Sequence, residues 1–336
     1  MMDTWEGFNW KLYSADCVEF LMSLPDDSLD LSVFSSPYSS LYIYSDSERD
    51  MGNAASHDEF LAHHAIFSKE LFRVMKPGTV ICDHVKDTVF YQGSSATGES
   101  GIYPFSDVAS QSYRNAGFQL RARTVIWTDP VLERSKTNAE RLLYKNVGEN
   151  SRVCGTGMPE YILVMRKDSR GGRVGEPVKH AVNKWGDEKW ESDALELGQK
   201  QAERLVKDGM IEGANFEIIQ KLAESAKFDL KQWQKWASPV WMDNHGSDVL
   251  NSRFKGGDKD EKHLCPMPLE YIRRCITLYS NPGDVVFDPF SGIGSTGHCA
   301  VKMARKFIGT ELKPEYARQA ARFIGESAQN SGDLFT

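Results

Sequence analysis

Paired cysteines are missing from this chain. Its six cysteines, Cys17, Cys82, Cys154, Cys265, Cys275 and Cys299, contain no CxxC spacing. Zinc ribbons need that spacing, so neither a structural metal nor a disulfide framework is suggested, and a reducing cytoplasm is the expected location. Long apolar runs are missing too. None approaches the ~18–20 residues that cross a bilayer. The opening MMDTWEGFNWKLYSAD has neither the basic nor the apolar region of a signal peptide. An excess of positive charge is also missing, since the 336 residues carry a net charge of −7. The balance is uneven, however. Residues 1–120 hold 7 Lys/Arg against 17 Asp/Glu, whereas residues 121–190 hold 14 against 9. An acidic body with a basic middle can still turn one positive face towards a polyanion.

What is present is a sequence of alternating elements. Short apolar runs at 11–14, 29–34, 79–82, 123–127, 161–165, 285–287 and 306–309 read as strands. Helical spacing at 18–24, 57–75, 107–116, 269–279, 296–304 and 314–324 separates most of them. Pro77-Gly78 is expected to end the 57–75 helix. Strands that alternate with helices imply a mostly parallel sheet covered on both faces, an α/β fold. After Arg166 the pattern is lost. Residues 167–190 are rich in Gly, Lys, Arg and Trp, 194–207 and 216–236 read as polar helices, and 241–261 reads as loop. The sheet pattern then resumes. The expected organisation is one core in two parts, 1–166 and 262–325, with an insertion at 167–261 and a loose tail at 326–336.

The stretch VVFDPFSGIGSTG, residues 285–297, is the most informative. A buried strand ends at Asp288, glycines at 292 and 294 turn the chain tightly, and a helix begins near Ser295. This is half of a βαβ unit that cradles a nucleotide-like ligand. G-x-G-x-x-G alone is weak, because dinucleotide oxidoreductases use it as well. Three neighbours narrow the reading. Asp288 can accept hydrogen bonds from a ligand ammonium, Phe290 supplies a ring, and Glu311 after the following strand is placed for ribose hydroxyls. Such a unit normally opens its fold, yet here it lies near the end of the chain. Strands of the same sheet must precede it.

These residues carry a resemblance. The segment DPFSGIGSTGHCAVKMARKFIGTELKPEYARQAARF resembles the S-adenosylmethionine-binding region of DNA amino-methyltransferases, which methylate cytosine N4 or adenine N6. LYSADCVEFLMSLPDDSLDLSVFSSPY resembles their catalytic segment, which ends in Asp/Asn/Ser-Pro-Pro-Tyr/Phe. Catalytic motif first and cofactor motif last is similar to the permuted beta class. The resemblance implies a circularly permuted Rossmann-like core and a target-recognition region between its halves. It also implies S-adenosylmethionine as cofactor with no metal, and DNA as partner. No membrane partner is expected, and a homodimer is allowed. By resemblance, Asp16, His263, Asp288, Phe290, Gly292, Gly294, Ser295, Thr296 and Glu311 face the cofactor. Asp16 reads equally well as a helix N-cap.

An exocyclic base amine is a poor nucleophile because its lone pair is delocalised into the ring. Two acceptors facing its two protons favour the pyramidal nitrogen that attacks a methyl sulfonium. Ser35 Oγ and the Ser36 carbonyl are the candidates, with Pro37 stiffening the turn and Tyr38 stacking on a flipped base. The family usually has Pro where this chain has Ser36, which puts the loop geometry in question. Serine at the first position resembles the cytosine-N4 members, and adenine N6 is the alternative. For DNA contacts, Arg170, Arg173, Lys179, Lys184 and Arg253 are the candidates, with the polar helices as a buttress. Three other readings compete. A nicotinamide-dependent oxidoreductase leaves SSPY and DPF unexplained. A catalytically silent DNA-binding homologue is kept open by Ser36. Methylation of RNA or of a protein amide is the third, and amide chemistry favours Asn where Ser35 stands. No nuclease motif is visible, which suits a stand-alone modification enzyme of a bacterium or phage.

Overall fold

The computed structural model describes residues 3–37, 50–54, 56–90, 101–131, 144–153, 155, 157–170, 174–183, 189–243, 248–250 and 266–335. In chain order the first half comprises β1 (Thr4–Gly7), β2 (Trp10–Ser14), α1 (Cys17–Ser23), β3 (Leu29–Phe34), α2 (His57–Val74) and β4 (Met75–Lys86). The ribbon β5 (Thr88–Phe90) and β6 (Gly101–Tyr103) follows, then α3 (Phe105–Ala116), β7 (Gln119–Ile126), α4 (Lys145–Asn150) and β8 (Glu160–Arg166). The insertion holds β9 (Ala181–Val182), α5 (Trp190–Lys207), α6 (Phe216–Ala226), β10 (Lys227–Phe228), α7 (Leu230–Trp236) and β11 (Val240–Trp241). The chain closes with α8 (Leu269–Tyr279), β12 (Val285–Asp288), α9 (Ser295–Lys302), β13 (Lys306–Glu311) and α10 (Pro314–Phe335).

Among the described residues nine strands form one sheet, ordered β1-β2-β13-β12-β3-β4-β8-β7-β11. From β2 to β4 every neighbour is parallel, while β8 runs against both β4 and β7. The late strand β12 lies beside the early strand β3, and Ser32 Oγ donates to the Phe287 carbonyl at 3.0 Å. Sequence ends thus meet in the middle of the sheet. One face packs under α8, α9 and α10 through Ile272, Val301 and Ile324, and the other under α1, α2 and α3 through Leu21, Phe67 and Ala109. Leu31, Val286 and Phe307 are fully buried between them, each worth about 1.5–3 kcal/mol.

Three local expectations change. Helix α2 ends at Val74, and Met75, Pro77 and Gly78 already belong to β4, with Gly78 at φ +85°. Proline is tolerated at the start of a strand, where its missing N–H is not needed. The single helix expected at 216–236 is two. Lys227 and Phe228 leave α6 to pair with β9, and the Asp229 carboxylate caps α7 by accepting from the Gln232 N–H. The expected loose tail is instead a continuation of α10 to Phe335. Ser327 fixes it, since its buried hydroxyl meets His298 Nδ1 at 2.6 Å.

The insertion docks on one edge of the sheet. Helices α5 and α6 cross closely at Gly198, where a Cβ would meet the Ile219 carbonyl oxygen at 2.6 Å. Arg204 of α5 reaches Asp284 at 2.6 Å, just before β12 begins, and Lys306 at the start of β13 reaches Asp208. These helices therefore sit where the central strands begin. Beyond them, β11 pairs with β7 at Ile126, level with the ends of those strands.

Candidate functional site

Strands β13, β12 and β3 are neighbours, and all three point their carboxyl ends at one cavity. Connections leave these strands in opposite directions, so a crevice opens above them. Ligands of doubly wound sheets bind at such switch points. The cavity encloses about 980 Å³ of atom-free space, part of it open to solvent. Of the residues expected at the site, Asp16, Ser35, Pro37, Asp288, Phe290, Gly292, Ser295, Thr296 and Glu311 line it. Tyr38 and His263 lie outside the described residues, as do the basic candidates Arg173, Lys184 and Arg253.

The glycines act differently from one another. Gly292 and Gly294 have φ +51° and +91°, so both occupy the left-handed region that side chains resist. Gly297 serves packing instead, because a Cβ there would meet Ile324 of α10 at 2.5 Å. The turn leaves backbone beside the cavity, and a ligand can approach closely.

Two buried carboxylates face this space. Asp288 accepts from the Phe290 N–H at 2.9 Å, and burial pushes its carboxyl up to about 7 against the pull of the Thr296 hydroxyl. Glu311 accepts from the Gly292 N–H at 2.8 Å and the Lys313 N–H at 2.9 Å, and burial also raises it to about 7. Among the described residues no cation offsets either charge; Glu311 adds to the strain on Asp288, and Asp50 to that on Glu311. A carboxylate oxygen accepts at two lone pairs, so both groups retain capacity for ligand donors. A cationic ligand with an ammonium and hydroxyls fits this donor-hungry set. Asp16 accepts from the Val18 and Glu19 N–H groups at 2.9 Å, so it caps α1 and lines the cavity at once. Phe290 packs against Phe34 and Phe67 at 5.9 and 5.2 Å between ring centres while bordering the cavity.

The turn after β3 is pinned by residues that sequence reasoning missed. Ser35 Oγ donates to the His84 carbonyl at 2.8 Å. Its proton is thus committed, and towards any other group it acts as an acceptor. Ser36 is almost fully buried. Its N–H donates to Asp83 Oδ1 at 2.9 Å and its hydroxyl to Asp83 Oδ2 at 2.8 Å. The Tyr113 hydroxyl donates to the same Oδ2 at 2.8 Å. Burial lifts Asp83 to about 6, opposed by these three donors. Proline at position 36 has no N–H to offer, so the departure from the family pattern has a local counterpart in Asp83. Only the acidic end of an apolar run, CDH, signalled it in the sequence. Asp50, Met51, Pro266, Met267 and Tyr316 also line the cavity and belong to no motif.

The basic candidates do not join this site. Arg170 is exposed and paired with Asp168, beside Gly78 where β4 begins. Lys179 borders a second cavity with Arg305, ahead of β13. Both lie where the central strands begin, as do α5 and α6 of the helices expected to buttress a DNA-reading loop, while α7 leads on to β11.

A doubly wound sheet in which β8 and the edge strand β1 are reversed, with buried acids ending two adjacent central strands, defines a methyltransferase-type Rossmann-like fold. The family described as DNA methylase, N6_N4_Mtase, matches residues 29–322, and the chain belongs to that family. It is accordingly an S-adenosylmethionine-dependent DNA methyltransferase. The Type II methyltransferase M.BglII of Bacillus subtilis is 24% identical over 326 residues, which cover 96% of this chain and 71% of that protein. TTHA0409 of Thermus thermophilus, in complex with S-adenosyl-L-methionine, matches with TM-score 0.57 and 21% identity, covering 94% of this chain and 93% of that one. The PvuII DNA methyltransferase, cytosine-N4-specific, matches with TM-score 0.53 and 18% identity, covering 98% and 92%.

Proposed function

We propose that the cavity at the carboxyl ends of β13, β12 and β3 holds S-adenosylmethionine, and that Ser35-Ser36-Pro37 presents the N4 amine of a flipped cytosine to it. The convergence of Ser35, Asp288 and Glu311 on one cavity carries this reading. The bound cofactor supplies a methyl group on an electrophilic sulfonium. The chain's own residues do the rest. Asp288 takes the cofactor ammonium, Glu311 the ribose hydroxyls, and Asp16 the adenine amine. Phe290 and the turn at Gly292 and Gly294 shape the wall.

For the base, Ser35 Oγ and the Ser36 carbonyl accept from the two amine protons. The His84 carbonyl holds the Ser35 proton away from the amine. Asp83 grips the N–H and hydroxyl of Ser36, which anchors the residue whose carbonyl is needed. Holding the amine against the cavity where the cofactor would sit would supply much of the acceleration. Tyr38 is proposed to stack on the extruded base.

Serine at the first position supports cytosine N4 over adenine N6, and the cytosine-N4 specificity of the PvuII enzyme on the same fold is in keeping with it. For recognition, the stretch 244–265 follows β11 at the catalytic edge and leads back to Pro266 in the cavity wall. We assign it the DNA-reading role, with Arg253 as a phosphate contact. The place of action is DNA in a bacterial or phage-infected cytoplasm.

The test is transfer of labelled methyl from S-adenosylmethionine to unmethylated DNA, followed by digestion and mass identification of the nucleoside. N4-methylcytosine is expected. Label in N6-methyladenine overturns the choice of base, and no transfer to DNA overturns the reading. Ser35→Ala is expected to lose transfer while keeping cofactor affinity.

A further inference from the structure

A second cavity lies at the other edge of the sheet, between the insertion helices α5 and α6 and the turns that enter β12 and β13. It holds about 780 Å³ of atom-free space, part of it open to solvent. In a chain of net charge −7, its described lining contains Lys179, Lys221, Lys302 and Arg305 and no acidic residue. Lys221 pairs with Glu217 on its own helix and Arg305 is buried against Ser280. Lys179 and Lys302 stay exposed at the rim.

Two polar atoms in the wall have no partner among the described residues. Gln201 is more than nine-tenths buried, and its Oε1 accepts nothing. His180 Nε2 is buried without a hydrogen bond. The Thr277 backbone carbonyl faces the ring, and with Nε2 unpartnered it is Nδ1–H that donates to it, which leaves Nε2 as an acceptor. Burial and the nearby Arg305 keep this imidazole neutral, and its ring stacks on Phe228 at 5.1 Å. An unmet buried acceptor destabilises the fold, so two in one wall, beneath a cationic rim, mark an unfilled binding geometry.

We infer that this cavity binds a nucleoside phosphate, with N–H donors of the base meeting Gln201 Oε1 and His180 Nε2 and the phosphate held at the rim by Lys179 and Lys302. Guanine is the base that offers two adjacent donors, N1–H and the N2 amine. Adenine and cytosine place an acceptor beside their amine. The site is separate from the catalytic cavity by the length of β12 and β13, and its occupant clamps the insertion onto the strands that carry Asp288 and Glu311.

The test is equilibrium dialysis of the full chain with labelled guanosine monophosphate, in saturating S-adenosylhomocysteine to occupy the catalytic cavity. One bound nucleotide per chain is expected, with adenosine monophosphate at least fivefold weaker. Gln201→Leu is expected to weaken binding at least tenfold and Lys302→Glu at least fivefold. Lys302 is exposed, so its variant reads the site even where Gln201→Leu does not fold. Absence of binding overturns the proposal. Equal binding of inorganic phosphate or adenosine monophosphate overturns the base-edge assignment. Displacement by a short DNA duplex, or indifference to both variants, overturns the site.

Discussion

Asp284 and Asp288 bracket one strand, four positions apart, and both are almost fully buried. Asp284 stands where β12 begins. Its Oδ1 accepts from Arg204 at 2.6 Å and its Oδ2 from the Asn281 N–H at 2.7 Å. Asp288 stands where the strand ends, and among the described residues it meets backbone and hydroxyl donors but no cation. At the first edge the insertion offsets part of the buried charge through Arg204, although burial and the nearby Asp30 still hold this carboxyl above its ordinary value. At the second no described residue brings a cation to the buried charge. A buried acid with its arginine is architecture, whereas a buried acid facing a cavity without one is a receptor for a cation.

The sharpest way to break this comparison is to remove each charge in turn. Asp288→Ala should weaken S-adenosylmethionine at least a hundredfold by calorimetry, since hydrogen bonds to a charged group are worth about 1.5–3 kcal/mol each. Asp288→Asn should also lose affinity and yet melt higher at pH 8. A carboxyl raised from 3.8 to about 7 by burial costs the folded state up to about 4 kcal/mol once ionised. A variant that binds normally, or melts lower, makes Asp288 structural like its neighbour.

Asp83 tests the middle case. It is fully buried, and the catalytic turn itself satisfies it through Ser36 and Tyr113. Ser36→Pro, which restores the usual family residue, removes two of its three donors. It should cost about 2–3 kcal/mol of stability and lower kcat roughly tenfold or more with cofactor affinity unchanged. Full activity in this variant means that Asp83 does not position the turn. Smaller again is Asp284→Asn. Arg204 keeps Glu176 and Asp208 within 3.4 and 3.9 Å, so a loss of about 1–2 kcal/mol in denaturant unfolding is expected, with cofactor affinity within about threefold.

The two halves of the site differ in how far the sequence disclosed them. The glycine turn, Asp288 and Glu311 are legible because strand, turn and acid fall at fixed spacing within the 27 residues from Val285 to Glu311. Ser35 and Pro37 are legible through their tetrapeptide. Asp83 and Tyr113 are not, because they reach Ser36 from β4 and α3, 47 and 77 positions away. The placement of the insertion is not legible either. Composition shows that Arg170 and Lys179 are basic, but only the docking of Arg204 on Asp284 sends that segment to the far edge. The continuation of α10 past 326 depends on the buried His298–Ser327 contact across two helices.

Proton linkage sharpens the comparison most finely, because the same two carboxyls should give slopes of opposite sign in two measurements. Asp288 and Glu311 both titrate near 7 in the free protein. Above that they are ionised and ready for the cofactor ammonium and hydroxyls. Below it each holds a proton that binding must release, so cofactor affinity should fall about a hundredfold from pH 8 to pH 6, roughly tenfold for each carboxyl. Stability of the free protein should move the other way. The folded carboxyls bind protons more tightly than the unfolded chain does, so their protonated form is favoured by folding at low pH. That contribution is lost as pH rises through about 7. Melting of the free protein should therefore fall between pH 6 and pH 8 while cofactor affinity climbs. Asp288→Asn should flatten the stability slope, whereas Asp284→Asn, whose charge Arg204 partly offsets, should change it less. If both slopes run in the same direction, the two acids at the cavity are not the groups that await the cofactor.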